Sequence, residues 1–168
     1  MCIRDSNYLR RQQTSDGSWC DPWPCCRVRT TASVVLGLRA AGIPAKSPLI
    51  ERAIGWLVNQ QQASGAWSSS MDDTIATADA LPGKSGGDSP MRTALAVLAL
   101  VSAGQTQNAC VYNGVEYLLR QQNVDGSWAT EEFSPAEVIV TLGRASDYNV
   151  ACSIQLALSS WCESQHIS

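Results

Sequence analysis

The sequence predicts an all-α protein built as an array of repeated helical units, and three observations carry that prediction. One pattern is spelled three times: Tyr8-Leu9 with Gln13, Gly17 and Trp19; Trp56-Leu57 with Gln61, Gly65 and Trp67; Tyr117-Leu118 with Gln122, Gly126 and Trp128. In each copy the Gln follows the Leu by four residues, the Gly follows the Gln by four and the Trp stands two beyond the Gly. The intervals Trp19 to Trp67 and Trp67 to Trp128 are 48 and 61 residues, the self-similarity of a repeat array. Apolar residues ahead of the copies recur at helical spacing, as in Leu49, Ala53 and Leu57, or Val111, Val115, Leu118 and Leu119. No stretch alternates apolar and polar residues with the period of a half-buried strand.

The first helix is expected from Ile3 to Gln13; it is shorter than its counterparts and interrupted by Asp5-Ser6-Asn7, residues that favour caps and turns. Met1 to Ser6 therefore reads as a truncated or foreign start to a single domain over residues 1–168. Pro22 and Pro24 forbid a helix in the loop Cys20 to Cys26. A helix around Arg29 to Ala41 follows, stopped by Gly42 with Pro44 beyond. Ser47 as N-cap and Pro48 at the first helical position open an amphipathic helix to Gln62. Ser68 to Asp88 is a polar excursion holding a short helix over Asp72 to Leu81 and the Gly-rich stretch Pro82 to Gly87. The helix from Pro90 to Ala103 is apolar nearly all round, as an inner wall covered by other helices must be. An outer helix over Asn108 to Gln122, another from Pro135 to Arg144 and a last one over Asn149 to Glu163 complete the array.

Each repeated pattern fits the end of an outer helix and the turn after it. Gly17, Gly65 and Gly126 are expected where those helices stop, since glycine takes the left-handed conformation cheaply. The amides of Gln13, Gln61 and Gln122 can satisfy backbone groups left unpaired at a helix end. The flat faces of Trp19, Trp67 and Trp128 can cover those amides and seal the joint to the next unit. The motif thus reads first as a staple between repeats.

At these residues the sequence resembles the QW motif of squalene-hopene and oxidosqualene cyclases, class II triterpene cyclases built as α/α toroids. The fuller motif begins with a basic residue and then Gly or Ala, three before the aromatic. Arg52-Ala53 carries both, Asn113-Gly114 only the second and Arg4-Asp5 only the first. Thr31 to Ile43 resembles an inner helix near the cyclase C terminus, and Ser89 to Ala94 the start of the next. The resemblance spans residues 7–161 and thins after Trp128. It implies a partial α/α toroid, the C-terminal piece of a squalene-hopene-cyclase-like isomerase of triterpenoid biosynthesis. It also implies a polyprenoid substrate such as squalene, a missing N-terminal half as partner, no cofactor and contact with a membrane surface. A fragment of such a ring leaves apolar flanks near Tyr8 and Trp161.

The catalytic parts of that family are matched poorly. The initiating acid is the middle Asp of an Asp-x-Asp-Asp tetrad, held protonated until substrate arrives. Ser70-Met71-Asp72-Asp73 comes nearest, with Ser where the first Asp belongs. Asp72 and Asp73 read better as acids in the first turn of a short helix, where the dipole favours negative charge, so no catalytic residue is assigned. A carbocation also needs aromatic faces around it. Where the cyclases line their cavity with aromatics, this chain offers Val138, Ile139, Val140 and Leu142, leaving Phe133 and Tyr148 as weak lining candidates.

Composition excludes other classes. A chain of 168 residues, 45% of them hydrophobic, can bury one sizeable core, and a net charge of -3 offers nucleic acid no general attraction. The longest apolar run, Ala94 to Val101, falls far short of the roughly 18 residues of a membrane span. Met1 to Ser6 lacks the apolar core of a signal peptide, which points to the cytoplasm. Seven irregularly spaced cysteines suit reduced thiols. Cys20, Cys25 and Cys26 with Asp21 lack a CxxC pair, and His166 is the single histidine, so no metal site is assigned and a Ser-His-Asp triad has no support. Gly83-Lys84-Ser85 lacks the earlier glycine of a phosphate loop. Two classes remain: a wall segment of a cyclase, or a non-catalytic toroid-repeat protein that binds a protein or lipid partner.

Overall fold

A computed structural model describes residues 3–20, 27–68, 89–124 and Trp128. Among these are five helices and no strand: α1 Ile3–Gln12, α2 Arg27–Ala40, α3 Pro48–Asn59, α4 Pro90–Ser102 and α5 Ala109–Arg120. The all-α expectation holds. The helices expected over 72–81, 135–144 and 149–163 lie outside the described residues, as do Pro22 and Pro24. No described helix is long and apolar enough to cross a membrane.

The helix starts follow from capping. Ser47 Oγ accepts from the Ile50 N–H with Pro48 in the first turn, and Asn108 Oδ1 accepts from the Cys110 N–H at 2.9 Å. Each satisfies a donor that has no partner inside its helix. α2 and α4 end in the same way. Gly42 (φ +84°) and Gly104 (φ +78°) take the left-handed conformation. The following N–H groups, of Ile43 and Gln105, reach back to Leu38 and Leu100 at 3.0 Å. α1 runs unbroken through Asp5-Ser6-Asn7, so the preference of those three residues for caps and turns does not interrupt the helix.

The layering follows from which faces are apolar. α4 has no exposed residue, and Thr93, Ala94 and the run Ala96 to Leu100 are buried. It packs most extensively on α2, forming an inner pair. α3 lies on α2 and reaches α4, while α5 lies on α4. Both outer helices turn a polar stripe outward, Glu51, Arg52 and Asn59 on α3 and Asn113, Glu116 and Arg120 on α5. One buried cluster joins Val35 and Leu38 of α2, Ile50 and Leu57 of α3, Val97 and Leu100 of α4, and Val111 and Leu118 of α5. Arg39 Nε donates to the Ser102 carbonyl at 2.8 Å and ties the C-terminal ends of the inner pair together.

Candidate functional site

The repeated Gln, Gly and Trp residues converge on joints between one outer helix, the next inner helix and the next outer helix. In the first joint Gln13 Nε2 donates to the Gly17 carbonyl of its own turn (2.8 Å) and to the Leu49 carbonyl in the first turn of α3 (2.9 Å). Its Oε1 accepts from Arg52 Nη2. Gln61 repeats the arrangement: its Nε2 donates to the Gly65 carbonyl and to the Cys110 carbonyl in the first turn of α5, both at 2.9 Å. Each amide therefore bridges two units with strong donors in a part-buried setting.

The tryptophans close the joint from the other side. Trp19 Nε1 donates to the Leu9 carbonyl at 2.7 Å, Trp67 Nε1 to Leu57 at 2.8 Å and Trp128 Nε1 to Leu118 at 2.8 Å, each ten residues back. All three indoles are buried. Their N–H groups bond carbonyls near the ends of α1, α3 and α5; those of Leu9 and Leu57 also accept the Gln13 and Gln60 N–H groups, so there the indole takes the second lone pair of the oxygen. The Trp67 backbone N–H donates to Thr93 Oγ1 at 3.1 Å, and the Trp19 N–H to Thr31 Oγ1 at 3.0 Å. The N-terminal part of each inner helix is thereby fastened to the joint before it.

Gly17 and Gly65 are not the helix stops that the sequence suggested. α1 ends at Gln12 and α3 at Asn59, with Gln60 as C-cap, so both glycines stand inside the turn that follows. They have φ of +96° and +88°. A Cβ at Gly17 would come within 2.6 Å of the Arg52 carbonyl oxygen, and one at Gly65 within 2.4 Å of that of Asn113. Close approach of the turn to the next outer helix is the second reason for glycine there. The same closeness appears at Gly114, where a Cβ would meet Val97 at 2.6 Å and the Trp67 ring at 3.0 Å. In the third joint Gln122 is half-buried at the end of α5 and Trp128 is in place, while Gly126 lies outside the described residues.

Two sets of side chains in these joints were missed from sequence. Thr31 and Thr93 are fully buried, and their signal was present in the matching Thr31-Ala32 and Thr93-Ala94 pairs. Thr93→Val keeps the shape but strands the Trp67 N–H, and should cost about 1–3 kcal/mol in urea unfolding. Thr93→Ser, which keeps the hydroxyl, should recover most of it. The second set is Asp16, Ser18 and Arg27. Asp16 Oδ1 accepts from Thr14 Oγ1 (2.5 Å), Ser18 Oγ (2.8 Å) and the Ser18 N–H (3.0 Å), and Oδ2 pairs with Arg27 Nη2 at 2.5 Å. Arg27 also lies 5.3 Å from the Trp56 ring centre.

Burial pushes the Asp16 carboxyl up, but the hydrogen bonds from Thr14, the Ser18 N–H, the Ser18 hydroxyl and Arg27 outweigh it and hold the group well below the usual carboxylate range. A folded-state value below the unfolded one means that its stabilisation is complete above the unfolded value, about pH 4, and is lost as pH falls below that. The stability gap between wild type and Asp16→Asn should therefore narrow progressively from about pH 5 to pH 2 in chemical denaturation. The effect will be small, because the side chain is partly exposed and screened.

The chemistry of this arrangement is adhesion. Asp16 is held ionised, the opposite of what protonating an alkene requires. Asp72, Asp73, Phe133 and Tyr148 lie outside the described residues, as do Asp21, Cys25, Cys26 and His166. Cys20 is exposed, and among the described residues no three His, Cys, Asp or Glu side chains are grouped to hold a metal ion.

Alternating inner and outer helices, fastened by recurring Gln and Trp hydrogen bonds, define an all-α repeat protein. Residues 1–138 match the family described as squalene-hopene cyclase C-terminal domain, and the chain belongs to that family, whose fold is an α/α toroid. It is 34% identical over 128 residues to a probable squalene-hopene cyclase of Sinorhizobium fredii, covering 76% of this chain and 19% of that one. Against the squalene-hopene cyclase of Bradyrhizobium diazoefficiens it is 33% identical over 128 residues, with the same coverage. Against that of Alicyclobacillus acidocaldarius it is 34% identical over 125 residues, covering 74% of this chain and 19% of the relative. The chain thus spans about a fifth of the length of these curated relatives.

Proposed function

We propose that residues 1–168 form one partial α/α-toroid domain, a wall segment in the catalytic toroid of a squalene-hopene-cyclase-like enzyme that cyclises a polyprenoid such as squalene. Gln13, Gly17 and Trp19, Gln61, Gly65 and Trp67, and Gln122, Gly126 and Trp128 act as its staples. Phe133 and Tyr148 are its candidates for the cavity surface. The observation that carries this reading is the joint itself, built twice from the same atoms on a chain of this family. The proton donor then comes from elsewhere in the toroid, and the whole protein works in the cytoplasm against a membrane surface from which its apolar substrate is drawn.

The test is the reading frame upstream of Met1. An Asp-x-Asp-Asp tetrad is expected there, and the extended protein should convert squalene to a cyclic triterpene, with activity lost when the tetrad's middle Asp becomes Asn. The 168-residue chain alone should give no cyclic product. Turnover by that chain, abolished by Asp73→Asn, would make it a compact cyclase with its own acid. An extended protein without the tetrad and without turnover would make it a binding module of the same fold.

A further inference from the structure

The outer layer holds a groove that no joint uses. It lies between α3 and the turn from α4 to α5 and encloses about 370 Å³. Its floor is apolar: Ile54 and Ala103 are buried and Val58 is half-buried. The space above Gly55 is open, since a Cβ there would meet nothing within 4 Å. Its rim is polar, with Glu51, Asn59 and Gln105 all exposed. Among the described residues, none of these three side chains has a hydrogen bond or an ion pair. Arg52, next to Glu51 in the chain, is turned away to Gln13.

The electrostatics of this groove favour a cation. Among the described residues that line it, Glu51 alone is charged. Two helices end there, α3 at Asn59 and α4 at Ser102 with Ala103 as C-cap, and a helix C terminus carries partial negative charge. The N terminus of α5 opposes them, but Asn108 Oδ1 already accepts from the Cys110 N–H at that end. The repeat shows that the joints do not dictate these residues. In the corresponding groove one unit earlier, of about 210 Å³, Arg10 stands for Val58, Ile43 for Gln105 and the N-cap Ser47 for the N-cap Asn108. The charged residues lining that groove are Arg10 and Arg52. The joints thus keep their Gln amide bridges while the charge of the groove beside them is reversed.

We propose that the groove between α3 and the α4–α5 turn is a binding site for a guanidinium or ammonium group carried on an aliphatic stem. The cation lies against the Glu51 carboxylate, with the side-chain carbonyl oxygens of Asn59 and Gln105 as further acceptors. The stem lies over Gly55 in contact with Val58 and Ala103, as long basic side chains cover apolar surface generally. A volume of about 370 Å³ stands at the small end of ligand sites and suits one such group. Two sources supply this chemistry: a free aliphatic amine or guanidine, and the Lys or Arg side chain of another protein. The site belongs to the outer layer, and its occupation is independent of any cyclase activity.

The experiment follows the amide chemical shifts of the isotope-labelled full chain as N-butylguanidinium is added. Saturable shifts are expected at Gly55, Val58 and Gln105. Glu51→Gln should weaken binding about tenfold, and N-butylurea, the neutral analogue of the same shape, should bind about tenfold more weakly than the guanidinium. Gly55→Leu puts a side chain into the open space on an exposed helix face, and should abolish binding with the circular dichroism unchanged. A blocked Ala-Arg-Ala tripeptide tells the two sources apart. Binding as tight as that of N-butylguanidinium assigns the site to a protein side chain, and much weaker binding assigns it to a free small molecule. No saturable shift with either cationic probe, equal shifts with N-butylurea, or binding unchanged by Glu51→Gln or by Gly55→Leu overturns the proposal.

Discussion

Trp67→Ala should lower the unfolding free energy by about 3–5 kcal/mol, the cost of deleting a large, fully buried aromatic. The indole lies where three helices meet. Its ring faces Gly114 of α5, its Nε1 bonds the Leu57 carbonyl of α3 at 2.8 Å, and its backbone N–H bonds Thr93 of α4. Truncation opens a cavity lined by rigid helices, which cannot collapse without breaking these joints. Urea unfolding followed by circular dichroism measures the change. Trp67→Phe separates the contributions, since it keeps most of the packing and loses the hydrogen bond, at about 1–2 kcal/mol. A loss below about 1 kcal/mol for the alanine variant would mean that the joint does not hold the units together.

Gly65→Ala should cost on the order of 3 kcal/mol, from two effects that a control can part. The left-handed backbone, with φ of +88°, opposes any Cβ by about 1–2 kcal/mol. The Cβ would also stand 2.4 Å from the Asn113 carbonyl oxygen, so the turn and α5 must move apart and the Gln61 bridge to Cys110 must lengthen. Gly42→Ala tests the first effect by itself, because φ there is +84° and the Cβ meets nothing within 4 Å. The same urea titration on both variants should find the Gly65 substitution more costly by about 1–2 kcal/mol. Equal losses would mean that the approach of the turn to α5 is not what requires glycine.

The four helices after α1 were legible because their signals are local. Ser47-Pro48 and Asn108 cap where a start was expected, and Gly42 and Gly104 stop helices in the conformation that only glycine takes cheaply. The three-fold recurrence of Gln, Gly and Trp marked the joints, since a contact repeated along a chain must be spelled repeatedly. Family membership was readable from the same letters.

What the joints are made of was decided by tertiary structure. Nothing local to Gln13 states that its amide reaches the carbonyl of Leu49, 36 residues on, nor that Gly65 answers to the backbone of Asn113 rather than to the end of its own helix. Thr31 and Thr93 look like ordinary early-helix threonines until a tryptophan N–H from the preceding turn arrives on each hydroxyl. Composition and periodicity report how each segment satisfies itself. The contacts that hold one unit to the next, and the space that a missing Cβ leaves, are made with another segment, and its identity depends on how the units stack.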